Sequence, residues 1–491
     1  MTKPLSILYV TGEVLPLVKT GGIADVSYSF PLAIRDIGHD IRVMIPKYGC
    51  VSERKNRIHE INRLKDIPLT VGNRTELATV KSSSISNPRT KVQAYITTNE
   101  DYFNVKKGIY ADPESGELYE DNDERFIFFN KSIIETCLIL GWFPDIIHCN
   151  DWSGALLPAY AKTMFPSKFK KTKFVFTVHN LNGMGVFPMS TWAKTGLPEE
   201  AKKSFVYKKK INFTKGGLLY ADYVTTVSPT YAESLRSDKN LTDGMCTHFK
   251  KKGEKFSGIL NGIDGWGWLP KTDPNIRKKY NKNFEDFKYF NKENLLEAYD
   301  MDSVDEKPVI GMISRLDEQK GIPLLLESIE RFLEDDIKFV MLGDGNKTYK
   351  DKLQAIAEKY PDKFGVKFGF NDQLAHQIQA GSDIFLIPSK EEPCGLNAMY
   401  TLAYGAIPVV SDIGGLKDIV QEYNPETKEG NGVFIKEHTA DEFVNAVNKA
   451  LVLYRNTEDM EAFAAKNMVA DYTWKESAAE YDEIYRAVMK D

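Results

Sequence analysis

At 491 residues the chain exceeds the ~250–300 residues at which a single hydrophobic core stops growing, so it divides into more than one domain. Its 64 Lys and Arg against 69 Asp and Glu give a formal charge of −5, which lacks the basic footprint of a nucleic-acid binder but leaves neutral substrates and small anions open. Five cysteines with no CxxC pair argue against a disulfide scaffold or thiolate zinc site, and no run approaches the ~18 apolar residues of a membrane span. A cytoplasmic protein with neither nucleic-acid nor membrane partner is expected.

Short β-branched runs alternate with longer helical patterns along the chain. Ser6 to Val10 and Ile41 to Ile45 read as strands flanking a helix from about Ile23 to Ile37. Ile146 to His148, Phe174 to Val178 and Tyr223 to Val227 continue the series. A second set follows at Val309 to Ile313, Lys338 to Leu342, Val366 to Phe368, Ile384 to Ile387 and Ile407 to Val410. This rhythm predicts parallel sheets covered on both faces, joined by right-handed crossovers. A Trp/Gly/Pro-rich stretch ending at Pro270 and a charged, helix-like segment from Asn275 to Tyr299 separate the two halves. The expected domains are 1–258 and 263–472, followed by an amphipathic helix, 473–491, without a strand partner. The acid-rich stretch Asp112 to Glu124 reads as the least globular part. The lysine clusters at 168–173, 208–210 and 250–252 read as solvated surface.

In open parallel sheets, ligands sit beyond the C-terminal ends of the strands, so the loops there carry the information. After the first strand, Lys19-Thr20-Gly21-Gly22 enters a helix at Ile23-Ala24-Asp25. Paired glycines permit close backbone approach, the helix start offers N–H groups to an anion, and Lys19 adds a positive charge. This is neither a GxGxxG fingerprint nor a P-loop. After Val309 to Ile313, Arg315 and Lys320 form a cationic pair suited to a diphosphate, with an ordinary surface ion pair to Asp317 or Glu318 as the bland alternative. Gly343 ends the strand at Leu342, another place for close approach. The loop after Ile387 is the densest: Glu391-Glu392-Pro393-Cys394-Gly395-Leu396-Asn397 leads into a helix. Cys394 fits a small buried thiol better than a nucleophile. His148 and His179 end two strands beside Asp151 and Asn180 and suggest a polar cluster at the sheet mouth. No HExxH motif occurs, and metal binding is not expected.

The segments KTGGIADV (Lys19 to Val26), KGGLLYADYVTTVSPTYAES (Lys215 to Ser234), GILNGID (Gly258 to Asp264) and SRLDEQKG (Ser314 to Gly321) closely resemble bacterial glycogen synthases and plant starch synthases. So does the run Ala380 to Val420. The resemblance implies the α/β GT-B architecture, two Rossmann-like doubly wound parallel-sheet domains facing an interdomain cleft. It implies retaining transfer of glucose from ADP-glucose to the non-reducing end of an α-1,4-glucan or maltooligosaccharide, with no metal and no organic cofactor. By motif, Lys19, Gly21, Gly22 and Asp25 belong to the donor-binding set, with Gly343, Cys394 and Gly395. Arg315 and Lys320 would clamp the diphosphate, assisted by the backbone of Leu396 and Asn397. Glu392 would face the transferred glucose, His179 and Asp151 would line the reaction centre, Asn261 would sit near the cleft, and Phe370 would lie against the nucleobase.

The sequence departs from the family pattern on the acceptor side. The histidine-rich HxHDWH stretch reads His148-Cys149-Asn150-Asp151-Trp152-Ser153, and the loop after HNL reads Asn182 to Pro188. A UDP-glucose-dependent GT-B enzyme and a non-catalytic glucan-binding relative remain as alternatives. Front-face and double-displacement chemistry, acceptor length and oligomeric state stay open.

Overall fold

The computed structural model describes residues 3–113, 115–181, 185–302 and 307–490. It divides into two compact units, Met1–Gly262 with Trp474–Asp491, and Ile263–Thr473.

The first unit is built on seven parallel strands. Their spatial order is Lys91–Thr98, Asp40–Pro46, Ser6–Val10, Ile146–Asn150, Lys173–Val178, Tyr223–Thr226 and Phe256–Gly258. In chain order this is 3-2-1-4-5-6-7, and the direction of winding switches between Ser6–Val10 and Ile146–Asn150. The central strands are buried almost throughout, which is why they read as continuous apolar runs rather than alternating ones.

The sheet is not purely parallel, as the strand–helix rhythm had suggested. Arg74–Ser86 pairs antiparallel with Lys91–Thr98, and His59–Glu60 and Ile67–Val71 pair antiparallel with Arg74–Ser86. This edge escaped the sequence reading because Arg74–Ser86 is rich in Ser and Thr and buries few of its residues. A small antiparallel sheet of Val186–Phe187, Lys210–Asn212 and Val206–Tyr207 was also not foreseen. The segment read as helical from Asn275 is helical only over Phe284–Ala298, where Asn283 caps the first turn by accepting from the Asp286 N–H.

The helix Lys475–Val488 packs on the first unit. Trp474, Ala478, Tyr481, Tyr485 and Val488 are buried at helical spacing against the helix Gly22–Asp36. The Trp474 indole N–H donates to Ser29 Oγ at 2.7 Å, and the Tyr481 ring meets Phe30 at 4.8 Å. A buried aromatic of this kind stabilises by ~1.5–3 kcal/mol, so the C-terminal helix is an integral part of this core.

The second unit holds six strands, all parallel, in the order Phe364–Phe368, Lys338–Gly345, Val309–Leu316, Ile384–Ile387, Ile407–Ser411, Val433–Ile435. In chain order this is 3-2-1-4-5-6, the doubly wound arrangement. Its switch point lies between Val309–Leu316 and Ile384–Ile387. The helix Ile322–Phe332 buries Ile322, Leu324, Leu325, Ile329 and Phe332 and packs against the helix Ala440–Arg455. Among the described residues no helix is long and apolar enough to cross a membrane.

Candidate active site

In each unit the two strands flanking the switch point deliver the loops that the sequence singled out. In the second unit these are residues 314–321 and 388–397. The strand from Val309 extends to Leu316, so Arg315 lies on the strand end and not in the loop after it, paired in register with Asp344. Gly343 is likewise inside a strand that runs to Gly345. A Cβ there would sit 2.5 Å from the Ser314 carbonyl oxygen, so strand pairing alone requires the glycine.

Gln319 ties the two loops together. Its carbonyl accepts from the Lys390 N–H at 2.7 Å, its Oε1 accepts from the Arg315 guanidinium at 2.8 Å, and its Nε2 donates to Glu391 at 3.4 Å. Arg315 also lies 3.3 Å from Asp317, the surface partner foreseen as its bland alternative. Lys320 pairs elsewhere: its ammonium donates to Glu392 Oε2 at 2.5 Å, while its backbone N–H donates to Asp317. Ser389 Oγ donates to the same Glu392 oxygen at 3.2 Å. The adjacent acids Glu391 and Glu392 therefore have different partners. Gly414 lies in the left-handed region (φ +45°), and a Cβ on it would fall 2.2 Å from the Glu392 carbonyl oxygen, so only glycine lets this turn close on Glu392.

The helix Leu396–Ala403 begins beside this cluster with Gly395 as its cap (φ +99°). Leu396 and Asn397 occupy its first turn, where N–H groups have no intrahelical acceptor. Asn397 Nδ2 donates to the Ile313 carbonyl at 3.1 Å, docking the helix start on the neighbouring strand. Cys394 is buried. Phe370 follows Gly369 and is 62% exposed, on the loop after Phe364–Phe368. These residues together make a concentrated cation–carboxylate group at the C-terminal ends of parallel strands.

The first unit holds a second group. Lys19 Nζ lies 2.8 Å from Asp25 Oδ1, in the first turn of the helix Gly22–Asp36. Two amides of the glycine loop, those of Thr20 and Gly21, are taken up within the protein. Glu13, missed by the sequence reading, accepts from the Thr20 N–H at 2.6 Å, the Thr20 hydroxyl at 2.8 Å and the Gly21 N–H at 3.2 Å. Burial pushes the Glu13 carboxyl upward, and the bonds from Thr20 and Gly21 oppose that shift.

Asp151 and His179 meet at the mouth of the same sheet. Asp151 sits at φ +49°, an uncommon conformation for a residue with a side chain. Its carboxylate accepts from the His179 N–H at 2.8 Å and also from the Asn180 N–H. Desolvation pushes the Asp151 carboxyl up to about 7, against those two donors. His179 Nε2 donates to Asn150 Oδ1 at 2.8 Å, and burial lowers its pKa to about 3, so the ring is neutral near pH 7.

His148 does not join this cluster. It is buried between Tyr485 and Thr177, bonded at 2.6 Å to each, and serves to dock the C-terminal helix. Asn150 and Ser153, the two positions that depart from the family's histidine-rich stretch, are built into the packing. Asn150 Nδ2 donates to the Val10 carbonyl at 2.9 Å, and Ser153 Oγ donates to the Asn150 carbonyl at 3.1 Å. Asn182, Gly183 and Met184 lie outside the described residues. Asn261 is buried in the segment after Phe256–Gly258. Among the described residues no cluster of His, Cys, Asp and Glu could hold a metal ion.

Residues 6–251 match the family model of the starch synthase catalytic domain, and residues 300–467 match that of glycosyl transferases group 1. The chain is 36% identical over 485 residues to a glycogen synthase of Chlorobaculum parvum, covering 98% of both chains. The chain belongs to the glycogen synthase and starch synthase family. It is 35% identical to glycogen synthase 2 of Geobacter sulfurreducens, again over 98% of each chain. The catalytic domain of starch synthase IV from Arabidopsis thaliana, solved with ADP and acarbose, superposes with a TM-score of 0.91 at 27% identity over the full length of both chains. A sucrose-phosphate synthase from Thermosynechococcus elongatus shares the fold, with a TM-score of 0.61 at 14% identity. The protein is accordingly a glucosyltransferase of GT-B architecture with two Rossmann-like domains.

Proposed function

We propose that this protein lengthens an α-1,4-glucan by transferring glucose from ADP-glucose to its non-reducing end with retention of configuration. The observation that carries this reading is the Arg315–Gln319–Lys320–Glu392 group at the switch point of the second unit. It places two fixed cations and one carboxylate where a doubly wound sheet holds its ligand. Cleavage of the glycosyl–diphosphate bond puts negative charge on the departing phosphate. Arg315 and Lys320 stabilise that charge, and the first-turn amides of Leu396 and Asn397 assist. Glu392 faces the glucose, and Phe370 meets the nucleobase. Gly343, Cys394 and Gly395 shape the donor pocket through their backbone. Lys19, with Gly21, Gly22, Asp25 and Asn261, supplies further donor contacts. Asp151 and His179 contribute to the reaction centre, where the transferred glucose gains positive charge. The enzyme works in the cytoplasm, where its five free cysteines stay reduced.

Two outcomes test this. ADP-glucose with maltooligosaccharide should support turnover in the presence of EDTA, and UDP-glucose should compete poorly. Activity restored only by added magnesium or manganese would contradict a clamp made of side chains. The pH profile has a definite sign. An ionised Asp151 stabilises the developing positive charge, and its carboxyl titrates near 7, so kcat should rise with pH through about 7. Asp151→Asn should remove that limb from the profile as well as lowering the rate.

A further inference from the structure

Glu13 lies outside every motif used above, yet it is among the most constrained carboxylates of the first unit. It lies three residues beyond the strand Ser6–Val10, and its own backbone is pinned. Thr11 Oγ1 donates to the Glu13 carbonyl at 2.9 Å, Tyr48 OH donates to the Gly12 carbonyl at 2.9 Å, and the Leu15 N–H donates to the Ala24 carbonyl at 3.2 Å. Glu13 is 3% exposed, and its carboxylate is held by three donors: the Thr20 N–H and hydroxyl and the Gly21 N–H. The Tyr110 hydroxyl packs against the neighbouring Gly12, where a Cβ would fall 2.5 Å from its oxygen. A rigid carboxylate thus grips the two residues that follow Lys19.

We infer that Glu13 is a positioning residue: by fixing the backbone of Thr20 and Gly21 it sets where Lys19 presents its ammonium. This rests on the reading of Lys19 as a donor contact. A six-residue loop from Pro16 to Gly21 carrying a flexible lysine has many conformations in isolation. Anchoring the C-terminal side of Lys19 to a buried acceptor removes most of them before substrate arrives, which is pre-organisation of a charge-stabilising group. The Lys19–Asp25 contact restrains the ammonium itself at 2.8 Å, so the loop is held at its backbone by Glu13 and at its tip by Asp25.

Glutamine is the informative replacement, since it keeps the size of Glu13 but turns one acceptor atom into a donor facing the Thr20 and Gly21 donors. Glu13→Gln should lower kcat/KM for ADP-glucose by about 10- to 10²-fold per folded enzyme, with the acceptor KM unchanged, because a small misplacement of a reacting group is costly. In a Lys19→Ala background the same change should cost less than about 2-fold, since residues acting through one another are not additive. Thr20→Val, which deletes one donor and preserves shape, should show the same loss and the same dependence on Lys19 at smaller amplitude, and serves if Glu13→Gln folds poorly. Additive effects in both pairs, or a lowered melting temperature with unchanged kcat/KM per folded enzyme, would reduce Glu13 to a structural cap and overturn the inference. An inactive wild type would instead remove the functional reading on which it rests.

Discussion

Arg315→Ala and Lys320→Ala should each lower kcat/KM by at least about 10², because a charge-assisted contact strengthens as the leaving diphosphate gains charge. The two should differ in what else they disturb. Arg315 is half exposed, and its ion pair with Asp317 is a surface contact worth little to folding, so Arg315→Ala should leave the unfolding midpoint nearly unchanged. Lys320 pairs with the mostly buried Glu392, so its removal leaves that carboxylate without its cation and should also lower stability measurably. Arg315→Lys keeps the charge but loses the planar fork that Gln319 orients, and it should remain impaired. Steady-state kinetics with ADP-glucose and maltooligosaccharide, with calorimetric ADP binding on the same preparations, reads all of these. Alanine variants that bind ADP and turn over like wild type would make the pair ordinary surface charge.

Glu392→Gln should lose turnover by about 10²–10³ while keeping ADP affinity within a few fold, since with Glu392 facing the glucose as proposed it removes charge beside the sugar and not the phosphate clamp. The substitution is nearly isosteric. Its backbone contacts, the Gly415 N–H to the Glu392 carbonyl at 2.9 Å and the close approach of Gly414, are untouched. Ser389 can still donate to the amide oxygen. What changes is the partner of Lys320, which loses a carboxylate at 2.5 Å and becomes a fuller positive charge for the diphosphate. ADP affinity should therefore hold steady or rise as turnover falls. An unchanged kcat would assign Glu392 only the task of holding Lys320.

The parallel cores were legible because strands buried on both faces leave uninterrupted apolar runs such as Ile7 to Val10 and Ile384 to Ile387. The antiparallel edge was not, because the polar, serine-rich Arg74–Ser86 carries no apolar run and pairs as a strand only with Lys91–Thr98 in place. At the site, Arg315, Lys320 and Glu392 stood out by charge in loops that follow strands. Their pairing did not: Lys320 takes an acid 72 positions away in place of the nearer Asp317, and no spacing rule reports that. Gln319 and Glu13 were invisible for a related reason. Each works by accepting hydrogen bonds from a second segment, so its role exists only once the two segments are side by side. His148 shows the opposite case. A histidine near Asp151 suggests a polar cluster at the sheet mouth, yet Tyr485, more than 300 positions later, supplies the contact that makes it part of the core.

The most direct test of the account is to follow the product of a single addition. Purified protein, ADP-glucose and maltotriose should yield maltotetraose with release of ADP, and proton NMR of the first turnover should show the new linkage as α from an α-configured donor. Elongation should continue in one-glucose steps, and α-amylase should degrade the chains. Free glucose as the main product, a new β linkage, or no longer oligosaccharide under conditions where ADP binds would contradict a retaining α-1,4-glucan synthase.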